Sequence, residues 1–265
     1  MTKVQNIIDQ LQEFFPEDLA VQGDPVGMQI GDPNAYTKRI MTTLDVRPEV
    51  VQEAIAKHVD LIISHHPVMF RPAKNLNFAD PQLRMYGEII KHGIAVYSIH
   101  TNSDKAVNGS SQWEAEALGL QDINPFCLDQ DGIAIGRRGE LAQTLSAYDF
   151  AYYVKDKLQV DFVRLITPNK QAMIKKVGLV CGDGNKFWPE AVKAGLDAYV
   201  TGDVYYHTGH DMIANGLTVV DPGHYTEKLF KDKLAELLKK WQPALNWDVQ
   251  ILVSQVSTDP FQNLS

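Results

Sequence analysis

Four apolar runs in the sequence end in clusters of side chains that bind metal ions or move protons. Ser64-His65-His66-Pro67 follows Leu61-Ile62-Ile63, and His100-Thr101-Asn102-Ser103-Asp104 follows the run from Val96 to Ile99. Thr201-Gly202-Asp203 follows Ala198 to Val200, and Pro222-Gly223-His224-Tyr225-Thr226-Glu227 follows Leu217 to Val220. Paired histidines directly after a buried strand are costly to desolvate unless they hold something. Neighbours on an extended strand point to opposite sides, so two adjacent ions would take His65 and His66 one each more readily than one ion would take both. His224 and Glu227, three apart at the start of the last helix, share one face. A carboxylate can bridge two ions with its two oxygens, whereas an imidazole binds one. His65, His66, Asp104, His224 and Glu227 therefore suit a site for two divalent ions, with Glu227 as the bridge and water in the remaining positions. Imidazole and carboxylate without thiolate suit Zn, Mn, Fe, Co or Ni.

The remaining histidines and acids have plainer readings. His58 and His92 fall on helix surfaces by pattern. His100 either supports Asp104 through a hydrogen bond or closes a turn, and in a hydrolytic site it is the candidate proton shuttle. Asp203, His207 and His210 form a second cluster, for at least two of which capping and turn roles are expected. Cys181-Gly182-Asp183-Gly184-Asn185-Lys186 follows an apolar strand and precedes a helix, so its amides could hold a phosphate. Asp183 opposes that charge, and a plain strand-to-helix turn is the better reading. The chain has no GxxxxGK[ST] loop.

Ligands gather outside the carboxyl ends of strands in open α/β sheets, so the clusters call for strands alternating with helices. Apolar spacing predicts an amphipathic helix carrying Val4, Ile7, Ile8, Leu11, Phe14 and Phe15, closed by Pro16. It then predicts a strand at Ile40–Leu44, a helix at Pro48–Lys57, a strand at Leu61–Ile63, a helix at Leu83–Lys91 and a strand at Ile94–Ile99. A helix over Gln112–Leu118 has Ser111 and Glu114 placed as a capping box and Gly119 as its stop. Beyond a turn-rich stretch at 121–139, a helix near 146–157, strands near 160–166 and 173–180, a helix at 188–194, and strands at 197–200 and 217–220 are expected. A last amphipathic helix carries Leu229, Phe230, Leu234, Leu237, Leu238 and Trp241, and Pro243 stops it. The fold class is α/β, with mixed sheets covered by helices.

The halves read as copies. Residues 53–64 overlay residues 190–201 with Glu, Ala and Asp matched, and residues 93–104 overlay 216–227 with Asp104 opposite Glu227. Two blocks recurring in one order, with polar clusters ending all four strands, predict two duplicated, intertwined α/β units over 1–125 and 126–265.

A length of 265 residues with 45% apolar and 22% charged side chains suits one large or two modest globular domains and excludes a disordered or fibrous chain. The formal charge of −8 offers no broad field for polyanions, so nucleic acid and anionic membranes are disfavoured as partners. Two cysteines without CxxC spacing give no disulfide framework and no thiolate cluster, which fits a reducing cytoplasm. No apolar stretch approaches the roughly 20 residues a membrane span needs, and the first segment is not an export signal.

Taken together, Ser64-His-His-Pro67, His100-Thr-Asn-Ser-Asp104, Thr201-Gly-Asp203 and Gly223-His-Tyr-Thr-Glu227, in this order and spacing, resemble the NIF-three-like dinuclear-metal proteins, the GTP cyclohydrolase I type 2 homologs of bacteria. The likeness runs from the first helix to the last. It implies two intertwined α/β repeats, a ring-shaped homohexamer with sites facing its interior, and a two-metal centre in each subunit. The family's ligands would fall on His65, His66, Asp104, His224 and Glu227. Asp24-Pro25-Val26-Gly27 stands where the family often has Asp-Asn-Val-Gly, and His224 and Glu227 are three apart where some relatives have four. Many relatives carry a further domain inserted mid-chain, for which this chain has no room.

The leading expectation is metal-assisted hydrolysis of a small molecule, with GTP imidazole-ring opening or phosphoester cleavage by hydroxide held between two ions. The alternative is a metal-bearing hexameric scaffold or regulatory interaction protein without turnover. DNA binding through a local basic lining such as Arg137 and Arg138 ranks third.

Overall fold

The computed structural model describes residues 1–129 and 132–263. In chain order the first elements are β1 (Thr2–Lys3), α1 (Val4–Phe14), β2 (Gly27–Ile30), β3 (Tyr36–Thr37), β4 (Arg39–Thr43), α2 (Pro48–Ala56), β5 (Leu61–Ser64), α3 (Pro81–Lys91), β6 (Ala95–Ser98) and α4 (Thr101–Lys105). They continue with α5 (Ser110–Ala117), β7 (Gln121–Leu128), β8 (Ala134–Ser146), α6 (Ala147–Lys157), β9 (Arg164–Ile166), β10 (Met173–Leu179), α7 (Trp188–Lys193) and β11 (Ala198–Val200). The last are α8 (Tyr206–Ala214), β12 (Thr218–Asp221), a 3-10 turn at His224–Lys228, α9 (Leu229–Trp241) and β13 (Gln250–Val253).

The fold is mixed α/β, as the sequence predicts. The chain forms two compact units. One comprises Met1–Ala106 with Phe230–Thr258, and the other comprises Val107–Leu229 with the tail from Asp259. The last helix and β13 rejoin the first unit because β13 pairs parallel to β4, Ile251 opposite Ile40.

The first unit holds a five-stranded sheet in the order β13-β4-β5-β6-β2, parallel except for β2, and a small β1–β3 ribbon. β5 and β6 are buried at every position, which accounts for their unbroken apolar runs. Met41, Ile62 and Val96 pack with Val50 and Ala54 of α2 and Met85 and Ile89 of α3. Each such fully buried aliphatic chain contributes roughly 1.5–3 kcal/mol of burial free energy.

The second unit holds a six-stranded sheet in the order β7-β8-β10-β11-β12-β9, with β10, β11 and β12 parallel and the others antiparallel. Its core includes Phe150 and Val154 of α6 against Val177, Leu179 and Val200. The stretch expected to be turn-rich is instead a hairpin of β7 and β8, with Gln130 and Asp131 outside the described residues. Left-handed backbone at Asp122 and Cys127, and a register shift between Gln121 and Asn124, break the alternation by which a strand is read. The helix at Ser110–Ala117 is capped by Gly109, not Ser111. The Ser111 hydroxyl is buried and donates to Ile135 O at 2.6 Å, so no capping box forms.

The repeat is structural. Asp60 Oδ2 accepts from the amides of Lys38 and Arg39, and at the matching place Asp197 Oδ2 accepts from those of Lys175 and Lys176. Each unit so anchors the start of its first parallel strand to the turn before its second. α4 and the 3-10 turn at His224–Lys228 also occupy matching positions after β6 and β12.

Candidate metal centre

Strand register assembles the donors of the first unit. Thr43, Ser64 and Ser98 lie abreast on β4, β5 and β6, so the residues two further on, Asp45, His66 and His100, emerge at one edge. The His65, His66 and His100 rings form a triangle with centroids 5.0, 5.2 and 5.4 Å apart, and one nitrogen from each lies within 4.8 Å of the others. The expectation that His65 and His66 point to opposite sides does not hold. β5 ends at Ser64, and the bend beyond it, with the amides of His65 and His66 donating to Thr43 O and Leu44 O, brings the rings together. His65 is fully buried against Phe230, ring centroids 4.9 Å apart. Asp104 is buried on α4 with Oδ1 3.8 Å from His65 Nε2. Asn102 sets that short helix: its Oδ1 accepts from His100 N and its Nδ2 donates to Phe15 O.

In the second unit, the 3-10 turn places His224 Nε2 3.0 Å from Glu227 Oε2, since side chains three apart eclipse in that geometry. Glu227 is buried and His224 half-buried. His207 and His210 stand on the exposed side of α8, each with its ring against Tyr206, and belong to no donor group found among the described residues. His58 and His92 fall just past the ends of α2 and α3.

All four imidazoles are held in one way. His65 Nδ1 lies 3.0 Å from Ile99 O, His66 Nδ1 2.7 Å from Asp45 Oδ1, His100 Nδ1 2.8 Å from Asp24 Oδ1 and His224 Nδ1 2.8 Å from Asp203 Oδ2. Carbonyls and carboxylates only accept, so Nδ1 carries a proton in every ring, and in the neutral imidazole Nε2 is left with the lone pair. This is how metal-binding histidines are oriented. Burial would raise the Asp45 carboxyl, but hydrogen bonds from His66 and Thr258, reinforced by His66 and His65 when those rings are protonated, hold it below the usual range. Burial is likewise outweighed at Asp24 by His100 and by the hydroxyl and amide of Thr101.

His100 is therefore supported by Asp24, not by Asp104. Asp24, Asp45 and Asp203 hold the candidate rings in place, and sequence reasoning missed or undervalued them. Asp45 was open to it, lying as far beyond β4 as His66 lies beyond β5. Asp24 lies in the Asp24-Pro25-Val26-Gly27 segment that the family likeness marked, but no apolar run leads to it, so nothing in the spacing tied it to His100.

The donors fit a divalent ion. His224 Nε2 and the Glu227 carboxylate face each other at 3.0 Å, close enough to share a proton or to bind one cation together. Metal–nitrogen and metal–oxygen bonds of about 2.0–2.2 Å set donors around one ion roughly 3–4 Å apart, which both this pair and His65–Asp104 satisfy.

Duplicated α/β units with histidine and carboxylate sets at their strand ends belong to a known class. The Duf34/NIF3 (NGG1p interacting factor 3) family model matches residues 2–260, and the chain belongs to that family. It is 39% identical over 261 residues to the GTP cyclohydrolase 1 type 2 homolog of Streptococcus pneumoniae, covering 97% of this chain and 98% of that one. To the protein of the same name from Bacillus subtilis it is 31% identical over 364 aligned positions, more than its own 265 residues, so that relative carries additional chain. A solved Bacillus cereus protein related to NIF3 superimposes with a TM-score of 0.93 at 27% identity, covering 99% of each chain.

Proposed function

We propose that this protein is a metal-dependent hydrolase in which His65, His66, Asp104, His224 and Glu227 hold two divalent transition-metal ions. The observation that carries the reading is the uniform anchoring of Nδ1 in His65, His66, His100 and His224, which presents Nε2 as the binding atom. The relatives' name supports a nucleotide as substrate, opened at the purine imidazole ring or cleaved at a phosphoester. Paired ions would supply a lowered water pKa and polarisation of the bond under attack.

The chain's own residues supply the rest. His65, buried and fixed by Ile99 O, and Asp104, fixed by the α4 turn that Asn102 anchors, are donors whose orientation is already paid for in folding. Asp45 and Asp203 keep the His66 and His224 rings in the binding tautomer and increase their basicity. His100 takes a proton at Nε2 while Asp24 stabilises the imidazolium through Nδ1. We also propose, from the family likeness, that the chain assembles into a homohexameric ring.

The test is elemental analysis of the purified protein, followed by assay of metal-loaded protein on GTP and on phosphoesters. Turnover lost in Asp104→Ala with assembly retained supports the reading. Bound metal with turnover unaffected by that substitution contradicts it.

A further inference from the structure

The turn from Cys181 to Lys186 is the one sequence motif without a place in the account above. Two of its amides are taken up internally, which counts against a phosphate cradle: Gly184 N donates to Thr201 Oγ1 at 2.8 Å and Asn185 N to Asp183 Oδ1 at 3.1 Å. What the turn presents to the donors is bare backbone. Gly182 has φ +54°, and a Cβ built there would lie 2.3 Å from Glu227 Oε1 and 3.0 Å from His224 Nε2. The Gly182 α-carbon is thus packed directly against both donor groups of the second unit.

We infer that Gly182 is a positioning residue for the Glu227 carboxylate and the His224 imidazole, its missing side chain fixing where these two donors stand relative to a bound cation. This rests on the metal-centre reading.

The neighbouring glycines differ in what would have to yield. A Cβ at Gly202 would meet the backbone, His224 N at 2.8 Å and Gly223 C at 2.9 Å, and one at Gly184 would meet Tyr199 OH and Thr201 Oγ1, each at 2.5 Å. At those positions the fold itself must give. At Gly182 the obstructing atom is the far end of the Glu227 side chain, so a methyl group displaces the carboxylate while the backbone can stay. Glu227 is buried, which leaves its carboxylate few places to go. The turn is therefore matched to the length of Glu227: a glycine where the acid is glutamate.

The experiment is titration of metal-free protein with Mn2+ by calorimetry, with elemental analysis after gel filtration. It compares wild type, Gly182→Ala, Gly195→Ala, Glu227→Asp and the Gly182→Ala/Glu227→Asp double variant. Gly195 has φ +63° with nothing within 4 Å of its Cβ position, so Gly195→Ala carries the strain of a left-handed alanine without the contact. Gly182→Ala is expected to weaken Mn2+ binding on the order of tenfold or more, the loss seen when a ligand's support is removed, while Gly195→Ala binds as wild type. The shorter Glu227→Asp side chain withdraws from the methyl, so Gly182→Ala should cost less in that background than in wild type. Should Gly182→Ala not fold alone, the same comparison is read between Glu227→Asp and the double variant, where equal binding supports the contact and a further tenfold loss overturns it. Wild type that binds and Gly182→Ala that binds equally well overturn the inference and leave the metal centre standing. Wild type that takes up no Mn2+ overturns both.

Discussion

The two units build the same strand–helix–strand frame and furnish it in opposite ways. At the strand ends of the first stand Asp45, His65, His66 and His100; at the matching places of the second stand Gly182, Gly202, Asp203 and Gly223. Only the acid that follows, Asp104 against Glu227, keeps its chemical type. The first unit places imidazoles on its strand ends. The second clears its strand ends to bare backbone and carries its donors on the turn beyond them, His224 and Glu227, with Asp203 kept as an anchor. The same frame thus carries its donors on strand ends and a short helix in one copy and on a single turn in the other.

Removing a donor from either unit should have the largest effect. Asp104→Ala and Glu227→Ala are each expected to weaken metal binding by about a hundredfold or more, above the usual loss for an outer partner, and to abolish turnover. Equal metal content in both variants and wild type would remove the second unit's claim to be a donor at all.

Anchor removal comes next. Asp45→Ala in the first unit and Asp203→Ala in the second should each cost about 10- to 100-fold in metal affinity, read by calorimetry. Asp24→Ala should act on turnover more than on metal content, since its partner His100 is assigned to proton transfer. A matching loss of metal in Asp24→Ala would move His100 from shuttle to ligand.

The smallest effect concerns stability alone. Glu53 accepts from Lys57, Ser254 and the Gln255 amide, and these outweigh burial to hold its carboxyl below its ordinary 4.5. Its contribution is therefore present above pH 4.5 and is lost as the pH falls through the lower folded-state value. Glu53→Gln should cost about 1 kcal/mol in urea melts at pH 7 and progressively less in acid. Its counterpart Glu190 pairs with Lys193 in solvent, and Glu190→Gln should change stability by less than about 0.5 kcal/mol.

Much of this was legible in the sequence because parallel strands buried on both faces leave unbroken apolar runs, and their polar ends stand out against them. β5, β6, β11 and β12 were marked in this way, and β4 and β10 by apolar residues alone. β7 and β8 were not, since a register shift between Gln121 and Asn124 and left-handed backbone at Asp122 and Cys127 break the period of two. The edge strand β2, Gly-Met-Gln-Ile, carries mixed residues and left no pattern to read, whereas β13 holds a short Ile251-Leu252-Val253 run that was passed over because it follows the last helix. At the site, residue type and spacing marked the ligands. The anchors needed strand register, which brings Asp45 beside His66, and a long-range contact, which brings Asp24 to His100.

The claim beneath all of this is that both units donate to bound metal. Elemental analysis of the wild-type protein beside Glu227→Ala tests it most directly. The account predicts about two transition-metal ions per chain for wild type and a clear deficit for the variant. An undiminished metal content in Glu227→Ala, or a wild type without transition metal after loading, would contradict it.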